Sequence, residues 1–153
     1  MDKQLIRKIG EETIYSAKGH FKASDLRRNL FTITIWGCAF LNLIGVVGVN
    51  QTADKIMSAL GLLGTIALLI WNEGEGKEYK AKHKQAAEGY LSLHKDARLL
   101  YFSDDVSDKK IKELSKKVTE LDRSSRPDIP IIAKEWAKRA IEKSGETDNW
   151  WID

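Results

Sequence analysis

No charged side chain occurs between Asn29 and Ala53, and after Asp54 and Lys55 none occurs again before Glu73. Two such runs, parted by one pair of charges, constrain the chain more than anything else in it. A helix needs roughly 20 mostly apolar residues to cross the hydrocarbon layer, and inside lipid only helices or closed barrels satisfy the backbone. Two runs cannot close a barrel, so the expectation is a transmembrane helical hairpin over residues 29–72, with spans at about 30–49 and 56–72. The second run is 17 residues long, the short end of what spans a bilayer. The mean hydropathy of -0.37 hides this pattern because both flanks are densely charged.

A cleaved signal peptide is the rival reading of the first run. The polar leader of 28 residues, the length of the apolar run and the second span that follows at once favour retention of both. Lys18, Lys22, Arg27 and Arg28 precede the first span and Lys77, Lys80, Lys82 and Lys84 follow the second, whereas the connecting turn offers only Lys55. The expected placement is therefore multi-pass, with both termini cytoplasmic and Gly48 to Lys55 as the outer turn. Trp71 at the inner end of the second span suits the interface. The 153 residues carry 25 basic and 22 acidic side chains; that balance, without blocks of like charge, argues against sequence-specific nucleic-acid binding. Cys38, the single cysteine, lies inside the first apolar run and can form no intrachain disulfide.

The flanks read as helices, and no strand pattern is present. Leu5, Ile9, Ile14, Ala17 and Phe21 recur among charges over residues 1–28, an amphipathic helix whose stripe needs either the headgroup layer or the downstream helices as partner. Across residues 73–153 about three helices are expected. Gly74 and Gly76 weaken the first without necessarily ending it, and His83, Ala86, Ala87, Tyr90, Leu93, Ala97, Leu100 and Tyr101 share one of its faces. Ser107 is the expected N-cap of the second, where Ile111, Leu114, Val118 and Leu121 repeat like coiled-coil seam positions. Asp128 and Pro130 open the third, which carries Ile131, Ile132, Trp136, Ala140 and Ile141 and stops near Gly145. The fold class is all-α: a membrane hairpin with one helix before it and about three after it.

On a wheel of about 100° per residue, Thr34, Gly37, Cys38, Asn42, Gly45 and Gly48 gather on one side of the first span, and Ser58, Gly61, Gly64, Thr65 and Asn72 on one side of the second. Glycines allow backbones to approach and Asn42 can bond across, so close helix packing is the leading reading of Thr34, Asn42, Gly45, Ser58, Gly61 and Thr65. The sharper reading places them along a water-filled path in an oligomer, since one hairpin has too little wall to enclose a pore. The absence of Asp, Glu, Lys, Arg and His from the two spans disfavours a proton relay or voltage sensor. Tyr90, Leu93, Leu114, Val118, Leu121 and the terminal Trp150 and Trp151 are the candidate oligomer or partner contacts. His20, His83 and His94 are scattered without metal-ligand spacing, and no phosphate loop, nucleophile triad or set-apart carboxylate pair occurs. The reading is no enzyme, no catalytic residue, no metal and no cofactor.

This order of elements resembles the SLATT family of two-transmembrane effector domains from bacterial conflict systems. The residues that carry the resemblance are Tyr15-Ser16-Ala17-Lys18-Gly19-His20-Phe21-Lys22-Ala23, then Lys82 through Leu93 with its Ala-x-x-x-Tyr-x-x-Leu pattern, and Pro127 through Ala133 before the last helix. What the resemblance implies is a toxic antiphage effector, a homo-oligomer that permeabilises the inner membrane and causes abortive infection. The trigger it implies is a separate sensor, nucleotide-signal or reverse-transcriptase component, because no such domain is fused here. The alternative is a non-conducting anchor or assembly subunit that docks a soluble partner on its cytoplasmic helices.

Overall fold

The computed structural model of the chain describes residues 2–47, 51–124 and 126–144. Among these, every regular element is helical and no strand occurs: α1 (Asp2–Val47), α2 (Gln51–Trp71), α3 (Lys77–Phe102), α4 (Asp108–Arg123) and α5 (Ile131–Ser144), with a π-helical segment, Asn72–Gly76, leading from α2 into α3. The all-helical expectation holds. Two helical stretches, Lys3–Val47 and Thr52–Phe102, are long and apolar enough to cross a membrane.

Helix α1 differs from the expectation of a separate leader and span, because it runs for 46 residues without interruption. The physical reason lies in the stretch from Lys22 to Arg28, which contains neither Gly nor Pro and so offers nothing to end a helix. Its hydrophobic pattern changes there from one stripe to all faces, while the backbone continues. At Gly74 and Gly76 the helix also persists, widened into a π turn. A Cβ on Gly76 would lie 3.0 Å from Asn72 Oδ1, so the bare glycine leaves room for that amide.

The chain divides into two compact units, one of Met1–Ser24 with Ala81–Asp153 and one of Asp25–Lys80. In the first, Ile6 and Ile9 of α1, Leu93 and Ala97 of α3, and Ile111 and Leu114 of α4 form one buried cluster, with Val118 and Leu121 packed against it. Helix α5 contributes Ala133, Ala137 and Ile141, successive turns of one face. Ile131 and Ile132 at the start of this helix are 75% and 53% exposed. Ser107 holds the N-cap position of α4 in an extended conformation and its carbonyl accepts the Ile111 N–H at 3.2 Å, but its hydroxyl makes no capping hydrogen bond. Pro130 stands just before α5 and its carbonyl accepts the Lys134 N–H at 3.0 Å. Gly145 lies outside the described residues.

In the second unit the later part of α1 is followed by α2. Many of their large apolar side chains face outward, with Trp36, Phe40, Leu63 and Ile70 each more than half exposed. The most apolar windows of the two helical stretches are 0% and 6% buried.

Candidate functional site

Where α1 meets α2, glycine determines how near the backbones come. A Cβ on Gly45 would stand 2.1 Å from Ser58 Oγ and 2.5 Å from the Asp54 carbonyl oxygen. One on Gly61 would stand 2.8 Å from the Cys38 carbonyl oxygen and 2.9 Å from the Asn42 amide, and one on Gly64 would touch Cys38 Sγ at 3.0 Å. No side chain larger than hydrogen fits these points without displacement. Asn42, Gly45, Ser58 and Gly61 are thus brought together in one seam. Ser58 Oγ donates across it to the Asn42 carbonyl at 3.5 Å.

The other polar groups of the spans turn to their own helices. Asn42 Nδ2 donates to the Cys38 carbonyl at 3.1 Å, Thr65 Oγ1 to Gly61 at 2.8 Å, and Thr34 Oγ1 to Leu30 at 2.8 Å. Thr65 is half-buried beside the seam, whereas Thr34 is exposed and outside it. Gly37, on the same arc by wheel position, has nothing near its missing Cβ. Within one chain the seam is a packed joint in which Asn42, Ser58 and Thr65 each donate to a main-chain oxygen.

The first unit holds a polar chain that sequence spacing did not disclose. His20 of α1 and His83 of α3 are both fully buried, with Nδ1 to Nδ1 at 2.9 Å. One ring must donate and the other accept, so at most one of the two can carry a second proton while the bond survives. His20 Nε2 is buried with no hydrogen-bond partner. On its other side His20 stacks on Tyr90, centroids 5.7 Å apart and planes within 12°. The Tyr90 hydroxyl donates to Asp122 and receives a hydrogen bond from Arg126, and Arg126 pairs with Asp122 at 3.3 Å. Burial first, then the neighbouring His83 and Arg126, hold the His20 pKa down to about 4. Burial also lowers that of His83. Burial and the hydrogen bond to Asp122 raise that of Tyr90.

The histidines were expected as packing or surface residues, and His20 and His83 are packing residues. Each sits on a buried stripe of its helix, Thr13-Ala17-His20 and His83-Ala87-Tyr90. Their separation of 63 positions hid the pairing. A cleft of about 600 Å³ opens beside this chain, lined by Glu11, Glu12 and Tyr15 of α1, by Tyr90, and by Asp122 and Arg126. Among the described residues no group of three or more His, Cys, Asp or Glu is placed to hold a metal ion.

The expected contact residues are used differently. Tyr90, Leu93 and Leu114 are 1%, 7% and 5% exposed, so they belong to the chain's own interior rather than to a free surface. Val118 and Leu121 pack on the same core, Leu121 closing over Gly89, where a Cβ would meet Leu121 Cδ2 at 3.1 Å. The heptad-like spacing identified the buried face of α4 correctly, but the partner is α1 and α3 of the same chain. Trp150 and Trp151 lie outside the described residues. Comparison with known protein families, with curated proteins and with solved structures finds no match.

Proposed function

We propose that this chain is a membrane effector of a bacterial antiphage defence system. In this reading it is an inner-membrane oligomer with both termini in the cytoplasm, which permeabilises the membrane when a sensor partner or nucleotide signal triggers it. The observation that carries the reading is that the most apolar windows of the two long helical stretches are 0% and 6% buried. The fold itself leaves that surface uncovered, and a bilayer or sister hairpins are what such a surface requires. Conduction would need several copies, since one hairpin cannot surround a path. The resemblance to SLATT effectors supports the trigger and the outcome. In this reading the trigger would have to favour a second packing of the helical unit, and the buried chain of His20, His83, Tyr90, Asp122 and Arg126 is where such a change would be felt.

A second reading, a non-conducting anchor that docks a soluble partner, is favoured by the seam. Asn42, Ser58 and Thr65 all donate to main-chain oxygens and need no water. Controlled expression in a bacterial host separates the two, with growth and entry of a membrane-impermeant dye followed together under phage challenge. The effector reading expects dye entry and arrest, both removed by combined Thr34→Leu and Asn42→Leu with membrane insertion retained. Cells that stay dye-tight at every expression level, with and without phage, would eliminate it in favour of the anchor.

A further inference from the structure

Where the first span begins and the second ends, cations are held in two contrasting ways. Arg28 pairs with Asp25 at 3.0 Å and Lys77 pairs with Glu73. Arg27 and Lys80, by contrast, have only neutral partners among the described residues. The Arg27 guanidinium lies 3.5 Å from the centre of the Trp71 ring and 5.1 Å from that of Tyr79, with its Nε buried and without a hydrogen-bond partner. Lys80 Nζ donates to Asn72 Oδ1 at 3.1 Å and stands 5.7 Å from the centre of the Phe31 ring. The nearby Glu75 carboxylate accepts the Trp71 indole N–H at 3.0 Å.

Rings and an amide position a cation without neutralising it. A guanidinium held against an indole makes no ion pair there, and its Nη hydrogens form the fork that grips two oxygens of one phosphate. The two cations share one corner: Phe31 is one turn beyond Arg27, Tyr79 adjoins Lys80, and Asn72 adjoins Trp71. That corner sits where charge-free helix gives way to charged helix at both ends of the hairpin. Gly76 also belongs to the arrangement, because a Cβ there would crowd the Asn72 amide that receives Lys80.

We propose that Arg27 and Lys80, framed by Trp71, Tyr79 and Asn72, form a seat for the phosphate of an anionic phospholipid headgroup at the inner end of the hairpin. The seat rests on the hairpin spanning a bilayer, and not on whether it conducts. Two positive charges that make no ion pair of their own, at headgroup level, favour an anionic lipid over a zwitterionic one, whose own ammonium opposes them.

The test reconstitutes the full-length chain into nanodiscs of phosphatidylcholine with phosphatidylglycerol, followed by native mass spectrometry of the lipids retained on release. Insertion is read in parallel by resistance to alkaline extraction. The wild-type chain should retain phosphatidylglycerol preferentially. Arg27→Gln or Lys80→Gln should each lower that preference about fivefold, the double variant should remove it, and Arg27→Lys, keeping charge but not the flat fork, should fall between. Arg28→Gln and Lys77→Gln, which delete the same charge from ion pairs, should leave it unchanged. An equal loss in all four single Gln variants would mean diffuse surface charge and would overturn the seat, as would no loss in the first two. Displacement of the lipid by equimolar inorganic phosphate would assign the site to a free anion instead. A wild-type chain that inserts without preference sinks the seat alone, whereas one that does not insert sinks the hairpin reading with it.

Discussion

The two units of this chain are held together by opposite means. In Asp25–Lys80 the contact between helices depends on what is missing, the side chains of Gly45, Gly61 and Gly64, while the large apolar groups face outward. In Met1–Ser24 with Ala81–Asp153 the contact depends on what is present, isoleucines, leucines and alanines turned inward around a buried polar chain. The first arrangement is inside-out relative to water and takes little of its cohesion from the hydrophobic effect between its own helices. The second is an ordinary aqueous core. Perturbing each unit by the term it relies on tests the contrast.

The largest effect belongs to the aqueous core. Ile6 is fully buried, and Ile6→Ala should destabilise the helical unit by about 3–4 kcal/mol through lost burial and a residual cavity. Thermal unfolding of the full-length chain in detergent, followed by hydrogen exchange in α3 and α4, reads the change. A shift under about 1 kcal/mol would mean that this unit is not held by a water-excluding core.

Next in size is the response to acid. The folded state keeps the His20 pKa at about 4, below its ordinary 6.5. As pH falls through 6.5 the unfolded chain takes up a proton that the folded chain refuses, so stability declines down to about pH 4 and then levels off. His20→Leu should remove that part of the acid sensitivity, seen as a shallower dependence of the melting temperature on pH than in the wild-type chain. Identical slopes would mean that the buried pair is not what resists protonation.

How far these features were legible in the sequence follows the same contrast. The hairpin was readable because freedom from charge over Asn29 to Ala53 and Ile56 to Asn72 is a local property. The buried faces of α3 and α4 were readable because Ala86, Tyr90, Leu93, Ile111 and Leu114 recur at helical spacing. Spacing names a face but not its occupant, and so Leu114 and Val118 suggested a subunit contact although α1 and α3 supply the cover. The meeting of His20 with His83, and of Tyr90 with Asp122 and Arg126, is decided by how whole helices dock and leaves no local trace. Continuity of α1 was visible only as an absence, the lack of any helix-ending residue from Lys22 to Arg28.

The hairpin should respond to added volume rather than to lost volume. Gly61→Val brings a side chain into space occupied by the Cys38 carbonyl and the Asn42 amide, and should weaken the seam by about 1–3 kcal/mol. Gly37→Val, on the same helical arc but facing nothing, should change it little. Energy transfer between labels on α1 and α2 in vesicles reports both. Equal effects would show that small residues in these spans are interchangeable rather than placed.

The smallest effect sharpens the comparison by excluding a third source of cohesion. Lys138 and Glu142 of α5 face each other at 3.8 Å with side chains 68% and 57% exposed, one of several such pairs along the helices. Water screens both charges, and ordering two long side chains offsets most of the attraction, so Lys138→Ala should shift the unfolding of the helical unit by less than about 0.5 kcal/mol. A shift comparable to that of Ile6→Ala would mean that surface ion pairs carry this unit. Raised salt would then melt it while leaving the hairpin intact, an outcome that a water-excluding core does not allow.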